Sequence, residues 1–153
     1  MIVRTRADRD NRSASNIEEF VKYARTAKVS FGSYAAGSLA HIVCMELNKI
    51  YGLDMVVVNY RGEAPMWQDM HAGAVQIAMG SYQAASSVLE TAIGRAIAVP
   101  TAKRMRKLPD VPTFAEQGLT DKAFQLMSWV GFLGQAGMPD AMVKSISDLL
   151  VEA

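Results

Sequence analysis

Residues 28–62, KVSFGSYAAGSLAHIVCMELNKIYGLDMVVVNYRG, read as strand, glycine turn, helix, glycine and second strand. Val29, Ser30 and Phe31 form a short strand that breaks at Gly32. Gly37 and Ser38 then open a helix with Leu39, Ile42, Val43, Leu47 and Ile50 at helical spacing, and Gly52 closes it. Met55 to Val58 is a continuous apolar run, the pattern of a strand covered on both faces of a sheet. Two strands joined through a helix can pair in parallel, because only a connection of that length spans the crossover.

The same rhythm continues outward. Pro65 fits the first turn of a helix that Gly73 ends, Val75 to Met79 make a third strand, and a helix through Ser86, Val88 and Leu89 stops at Gly94 before a fourth strand at Ala96 to Val99. Upstream, Ser15-x-x-Glu18 reads as a capping box opening a helix on Ile17, Phe20, Val21 and Ala24. Downstream, the Pro-punctuated LPDVPTFAEQGL (108–119) leads to an apolar strand around Trp129 to Leu133 and a last helix with Pro139 near its first turn. Strict alternation predicts the α/β class, a largely parallel sheet flanked by helices.

Composition narrows the function. The 153 residues carry 16 Lys+Arg against 15 Asp+Glu, a formal charge of +1, and 50% are hydrophobic. That is enough apolar surface for a core, and it lacks the basic excess that a nucleic-acid partner demands. Cys44 is a single cysteine, so no internal disulfide is available. No run approaches a membrane span, and the N-terminus has no signal-peptide pattern. RTRADRDNR (4–12) has almost nothing to bury, so residues 1–14 are expected to be a flexible arm, with order beginning at Ser15.

In open parallel sheets, ligands gather beyond the carboxyl ends of the strands. Three loops fall there: Gly32 to Ser38, Asn59 to Ala64, and Gly80 to Gln83. The first suits an anion, because unpaired N–H groups and the positive end of a helix dipole favour a carboxylate or phosphate; Ser33 and Ser38 could add hydroxyls. Ser38 could equally do no more than cap its own helix. Arg61 could pair with a carboxylate and Tyr60 could donate its hydroxyl, although both also fit a solvated rim. Ser38 with His41 invites a hydrolase reading, but no nucleophile elbow surrounds the serine. His41, Cys44 and His71 are an improvised set for a metal. Neither catalysis nor a metal or other cofactor is expected.

Taken in order, SFGSYAAGSLAH (30–41), VNYRGEAPMWQDMHAGAVQIAM (58–79), LPDVPTFAEQGL and SWVGFLGQAGMP (128–139) resemble the substrate-binding receptors of the tripartite tricarboxylate transporter family, the Bug-type periplasmic solute receptors. The resemblance implies a type II periplasmic-binding-protein fold, one domain of a clamshell that traps a small carboxylate and hands it to a membrane permease. It implies a periplasmic, non-enzymatic protein, with this chain a second-domain fragment: a ligand-binding domain over 15–118, followed by residues 119–153 that begin the return to the other domain. The ligand-facing residues it implies are Gly32, Ser33, Ala36, Gly37, Ser38, His41, Tyr60, Arg61, Gly62, Gly80 and Ser81. The family usually has Pro at the position of Asn59 and often an acidic residue near Gln76, departures that bear on which carboxylate is bound. Apolar surface left bare by a missing domain would favour a homodimer, and the alternative function is an oligomerising structural module.

Overall fold

Phe31 and Gly32 are consecutive on one strand and therefore face opposite sides of a sheet, and each side is filled by its own pair of helices. The computed structural model describes residues 1–4, 14–127, 131 and 133–152. Its strands are β1 (Ile2–Arg4), β2 (Ser30–Ser33), β3 (Val56–Asn59), β4 (Ile77–Met79) and β5 (Gly94–Ala96), in the order β3-β2-β4-β1-β5. β2 pairs in parallel with β3 and β4, whereas β1 runs antiparallel to β4 and β5. Helices α1 (Ile17–Ala24) and α2 (Leu39–Tyr51) cover one face with Phe31, Ile77 and Met79 beneath them. Helices α3 (Glu63–Ala72) and α4 (Tyr82–Glu90) cover the other, over Ile2 and Ala78. The α/β architecture, parallel sheet flanked by helices, is the one the alternation predicts.

Several local expectations are corrected. The arm expected over residues 1–14 is anchored at both ends: Ile2–Arg4 is a strand inside the sheet, Met1 is buried with its amino group donating to the Ala98 carbonyl at 2.6 Å, and Ala14 is buried. Three residues are too few to show a period, and only their long-range partners make them a strand. The cap of α1 sits one residue later than expected. Asn16 Oδ1 accepts from Glu19 N at 2.9 Å, while Glu19 Oε2 reaches back to the Ser15 backbone N–H and hydroxyl, each at 2.8 Å. The buried stripe of α2 is Ala40, Val43, Cys44 and Leu47, which leaves Ile42 and Ile50 exposed at its margins.

β3, expected to be covered on both faces, is the edge strand, and Val56 is 62% exposed. A valine run alone does not distinguish an interior strand from an edge. Gly94 does not stop α4, which ends at Glu90; it is the first residue of β5. The strand expected at Trp129 to Leu133 falls mainly outside the described residues, and Leu133, which is described, is exposed and outside any strand.

The segment 108–119 serves as glue. Thr113 and Glu116 form a reciprocal capping box on a short 3-10 turn, Ala115–Gln117, and Arg104 Nε meets the Glu116 carboxylate at 3.0 Å. Gln117 accepts from Ile17 N at 2.8 Å and donates to the Ile97 carbonyl at 2.9 Å, so one amide ties the start of α1 to the segment that leaves β5. Beyond it come α5 (Lys122–Gln125) and α6 (Asp140–Glu152), and α6 leaves Met142, Val143, Ile146, Leu149 and Leu150 exposed along one stripe.

Gly32 decides how closely α3 approaches the sheet. A Cβ there would lie 2.9 Å from Met66 Cγ and 3.1 Å from Ala78 Cβ, both buried. Gly32→Ala is therefore expected to lower stability by about 1–3 kcal/mol through overpacking. Urea denaturation checks this: the midpoint falls with an unchanged slope.

Candidate functional site

Parallel registry brings the three predicted loops to one place. Ser33, the last residue of β2, pairs with Asn59 at the end of β3 and with Met79 at the end of β4. The turns that follow lead into α2, α3 and α4, so three helix N-termini open along one edge of the sheet. Backbone bonds knit them: Tyr60 N donates to the Ser33 carbonyl at 2.8 Å, and Gly62 N to the Tyr34 carbonyl at 2.9 Å.

The first turn presents backbone to the outside. Ala35, Ala36 and Gly37 are exposed, and among the described residues the N–H groups of Ala35 and Ala36 have no protein acceptor. Gly37, at φ +74°, takes the left-handed conformation that lets the chain turn up into α2. The two serines work inward. Ser33 is fully buried and its hydroxyl donates to the Ala35 carbonyl at 2.8 Å. With that hydrogen committed, Ser38 is the donor in the 3.0 Å contact with Ser33 Oγ, and Ser38 Oγ also accepts from His41 N as the cap of α2. His41 Nδ1 accepts from Gly37 N at 3.3 Å. Anion capacity here rests on the backbone of 35–36 and the α2 dipole, and the side chains hold that turn in shape.

In the second loop, Arg61 is exposed and makes no ion pair among the described residues. Tyr60 turns away: its half-buried hydroxyl donates to Asp69 Oδ2 at 2.6 Å, and burial, then that bond and the Asp69 charge, hold its ionisation well above the usual tyrosine range. Gly62 is the cap residue of α3. Gly32 lies beneath α3, inside the sheet. At the third loop the Ser81 donors are occupied by Glu63 from the start of α3. Its Oε2 accepts from Ser81 N and Ser81 Oγ, each at 2.9 Å, and from Trp67 Nε1 at 3.4 Å. A Cβ on Gly80 would stand 2.8 Å from that oxygen. Glu63 was not legible as a site residue, because its partner Ser81 lies 18 residues away and no local spacing links them.

Other chemistries find no geometry. Ser38 is bonded to the backbone of His41, and the imidazole nitrogen Nδ1 faces Gly37, so the pair is not a nucleophile and base. Cys44 is buried, which pushes its thiol up to about 12, and His71 sits in the last turn of α3, away from the edge. No group of metal-ligating residues occurs among the described residues. A pocket of about 480 Å³ is lined by residues including Val21, Arg25, Tyr51 and Gln117. It lies along α1 and touches α2 at Tyr51, the end of that helix opposite Ser38, so the candidate site is an open edge rather than this cavity.

The sequence pattern of the tripartite tricarboxylate transporter family receptor matches residues 4–153. The chain belongs to that family. Among its relatives, a UPF0065 protein from the tcbD-tcbE intergenic region of a Pseudomonas species is 30% identical over 135 residues, covering 86% of this chain and 40% of the relative. The periplasmic binding protein BugD superposes with a TM-score of 0.83 at 24% identity, over 97% of this chain and 48% of BugD. Rpa4515 of R. palustris, solved with adipate, superposes with a TM-score of 0.75 at 25% identity, over 96% of this chain and 48% of that protein. The chain thus spans less than half the length of these relatives. Among the described residues no helix is long and apolar enough to cross a membrane.

Gln76, near which the resemblance led to the expectation of an acidic residue, has a structural use. Its Oε1 accepts from Ser30 N at 2.9 Å and its Nε2 donates to the Gly73 carbonyl at 3.1 Å, a pair of roles that a carboxylate does not fill. Asn59 is exposed at the end of β3.

Tyr60→Phe is expected to cost about 1 kcal/mol at neutral pH, the worth of a partly solvated bond to a carboxylate. The native state favours the protonated phenol, so below pH 10 its contribution is fully present. As pH rises above the ordinary tyrosine value the unfolded chain ionises first and the contribution is lost. Urea midpoints of both proteins between pH 8 and 11 check this: the gap between them narrows as pH rises.

Proposed function

We propose that this chain forms one wall of an extracytoplasmic solute receptor that captures a small carboxylate in the periplasm for a tripartite tricarboxylate transporter, with a membrane permease as its partner. The observation that carries the reading is the α2 turn: two exposed backbone N–H groups at a helix N-terminus, with the unpaired Arg61 on the neighbouring loop. Together they offer an anion directed donors and a countercharge. The adipate in Rpa4515, half of which this chain matches, supports a carboxylate over a phosphate. Of the residues expected from sequence, Ala36 and Arg61 face the ligand directly, and Gly37 shapes the turn that presents Ala36. Ser33, Ser38, His41 and Gly62 hold the two turns, and Tyr60, Gly32, Gly80 and Ser81 act in the supporting structure. The hydrolase alternative has no dyad behind it.

A single wall leaves a small anion largely hydrated, so affinity in the isolated chain is low. A second reading, self-association, is favoured by the stripe Met142, Val143, Ile146, Leu149 and Leu150 on α6, which is exposed along its length. Covering it against a second copy would give a homodimer.

Hexanoate titrated into the ¹⁵N-labelled chain is expected to shift the amides of Ala35 to Ser38 with a Kd on the order of 1 mM or weaker. Arg61→Gln is expected to weaken binding about three- to tenfold without unfolding the protein. Shifts that spare the α2 turn would remove it from the site. Micromolar binding by a chain shown by sedimentation to be monomeric would contradict the half-site.

A further inference from the structure

Glu63 points to a ligand class. The α3 and α4 turns flank the same edge as the α2 turn, yet they differ from it in sign. At α2 the exposed backbone N–H groups are open. At α4 the backbone N–H and hydroxyl of Ser81 are already satisfied by the chain's own carboxylate, at 2.9 Å each, with the Trp67 indole N–H turned toward the same oxygen. The close fit against Gly80, where a Cβ would come within 2.8 Å of Oε2 and 2.9 Å of Trp67 Cζ2, shows that the backbone there is shaped to receive it. Oε2 therefore carries three donors, while Oε1 accepts from no described residue. Glu63, the first residue of α3, follows directly on Gly62, whose N–H bonds to the carbonyl of Tyr34, so its carboxylate is carried beside the turn that leads into α2.

We propose that Glu63 is a specificity-determining residue: it makes the α4 side of the edge an acceptor wall, so the ligand carries one carboxylate, held at the α2 turn, and a hydrogen-bond donor or ammonium group at its other end. This rests on the carboxylate-binding reading above. A second ligand carboxylate would meet a fixed negative charge that already takes the Ser81 N–H and hydroxyl. An ammonium or amide N–H would find Oε1 unsatisfied. Arg61, on the other side of Gly62, is the free countercharge for the first carboxylate and does not pair with Glu63.

The test compares three probes on the 153-residue chain by amide chemical-shift titration: hexanoate, adipate and 6-aminohexanoate, on the wild type and on Glu63→Gln. Glutamine keeps an oxygen that can accept from Ser81, so the tether between α3 and α4 survives while the charge is removed. In the wild type, 6-aminohexanoate is expected to bind more tightly than adipate. Glu63→Gln is expected to shrink that ratio about tenfold, with hexanoate little changed. A purely structural role would move all three affinities together, and that result, or an adipate preference in the wild type, overturns the proposal. Absence of any shift by hexanoate at Ala35 to Ser38 would instead overturn the carboxylate-binding reading, and this proposal with it.

Discussion

The parallel pairing of β2 with β3 on one side and β4 on the other is the constraint on which the candidate site depends. Its register puts Asn59 and Met79 level with Ser33, so the three turns that follow are side by side before any side chain is considered. The close seating of α3 then depends on two small residues that are themselves paired, Gly32 and Ala78, because only their lack of bulk lets Met66 settle onto the sheet. Move α3 outward and the bond from Gly62 N to the Tyr34 carbonyl stretches, loosening the turn whose N–H groups face outward. A packing fact in the interior is thus linked to the geometry of the proposed anion site through one helix.

The helix boundaries that depend on local chemistry could be read from the sequence. Ser38 caps α2, and Gly52 and Gly73 end α2 and α3 in left-handed conformations. The loops that meet at the site could be read as well, because parallel α/β connectivity leaves few other arrangements for them. What could not be read depends on partners distant in sequence. Ile2–Arg4 is a strand only because Ala78 and Ala96 lie on either side of Ile2. Met55 to Val58 reads the same whether a neighbour covers one edge or both. Ser33 and Ser38 are the residue types that an anion site uses, but burial and a mutual 3.0 Å contact turn them into the support of the turn. Glu63 gave no signal, since its meaning lies wholly in its contact with Ser81.

On the proposal made for Glu63, the edge is divided by polarity. Open N–H groups at α2 and the guanidinium of Arg61 form its donor side, and the Glu63 carboxylate, which takes the Ser81 N–H and hydroxyl, forms its acceptor side. Helix N-termini are often treated as interchangeable anion sites, yet a carboxylate from the protein already in place cancels the benefit that a ligand would gain there. Each end of a bound molecule is then recognised by different chemistry, and orientation follows from that difference rather than from shape.

A crystal of the chain soaked in 4-bromobenzoate, with the bromine located by its anomalous signal, tests this division most directly. The division predicts the carboxylate on the N–H groups of Ala35 and Ala36, with Glu63 still bonded to Ser81. Bromobenzoate bound instead at Ser81, with Glu63 displaced into solvent, would contradict it.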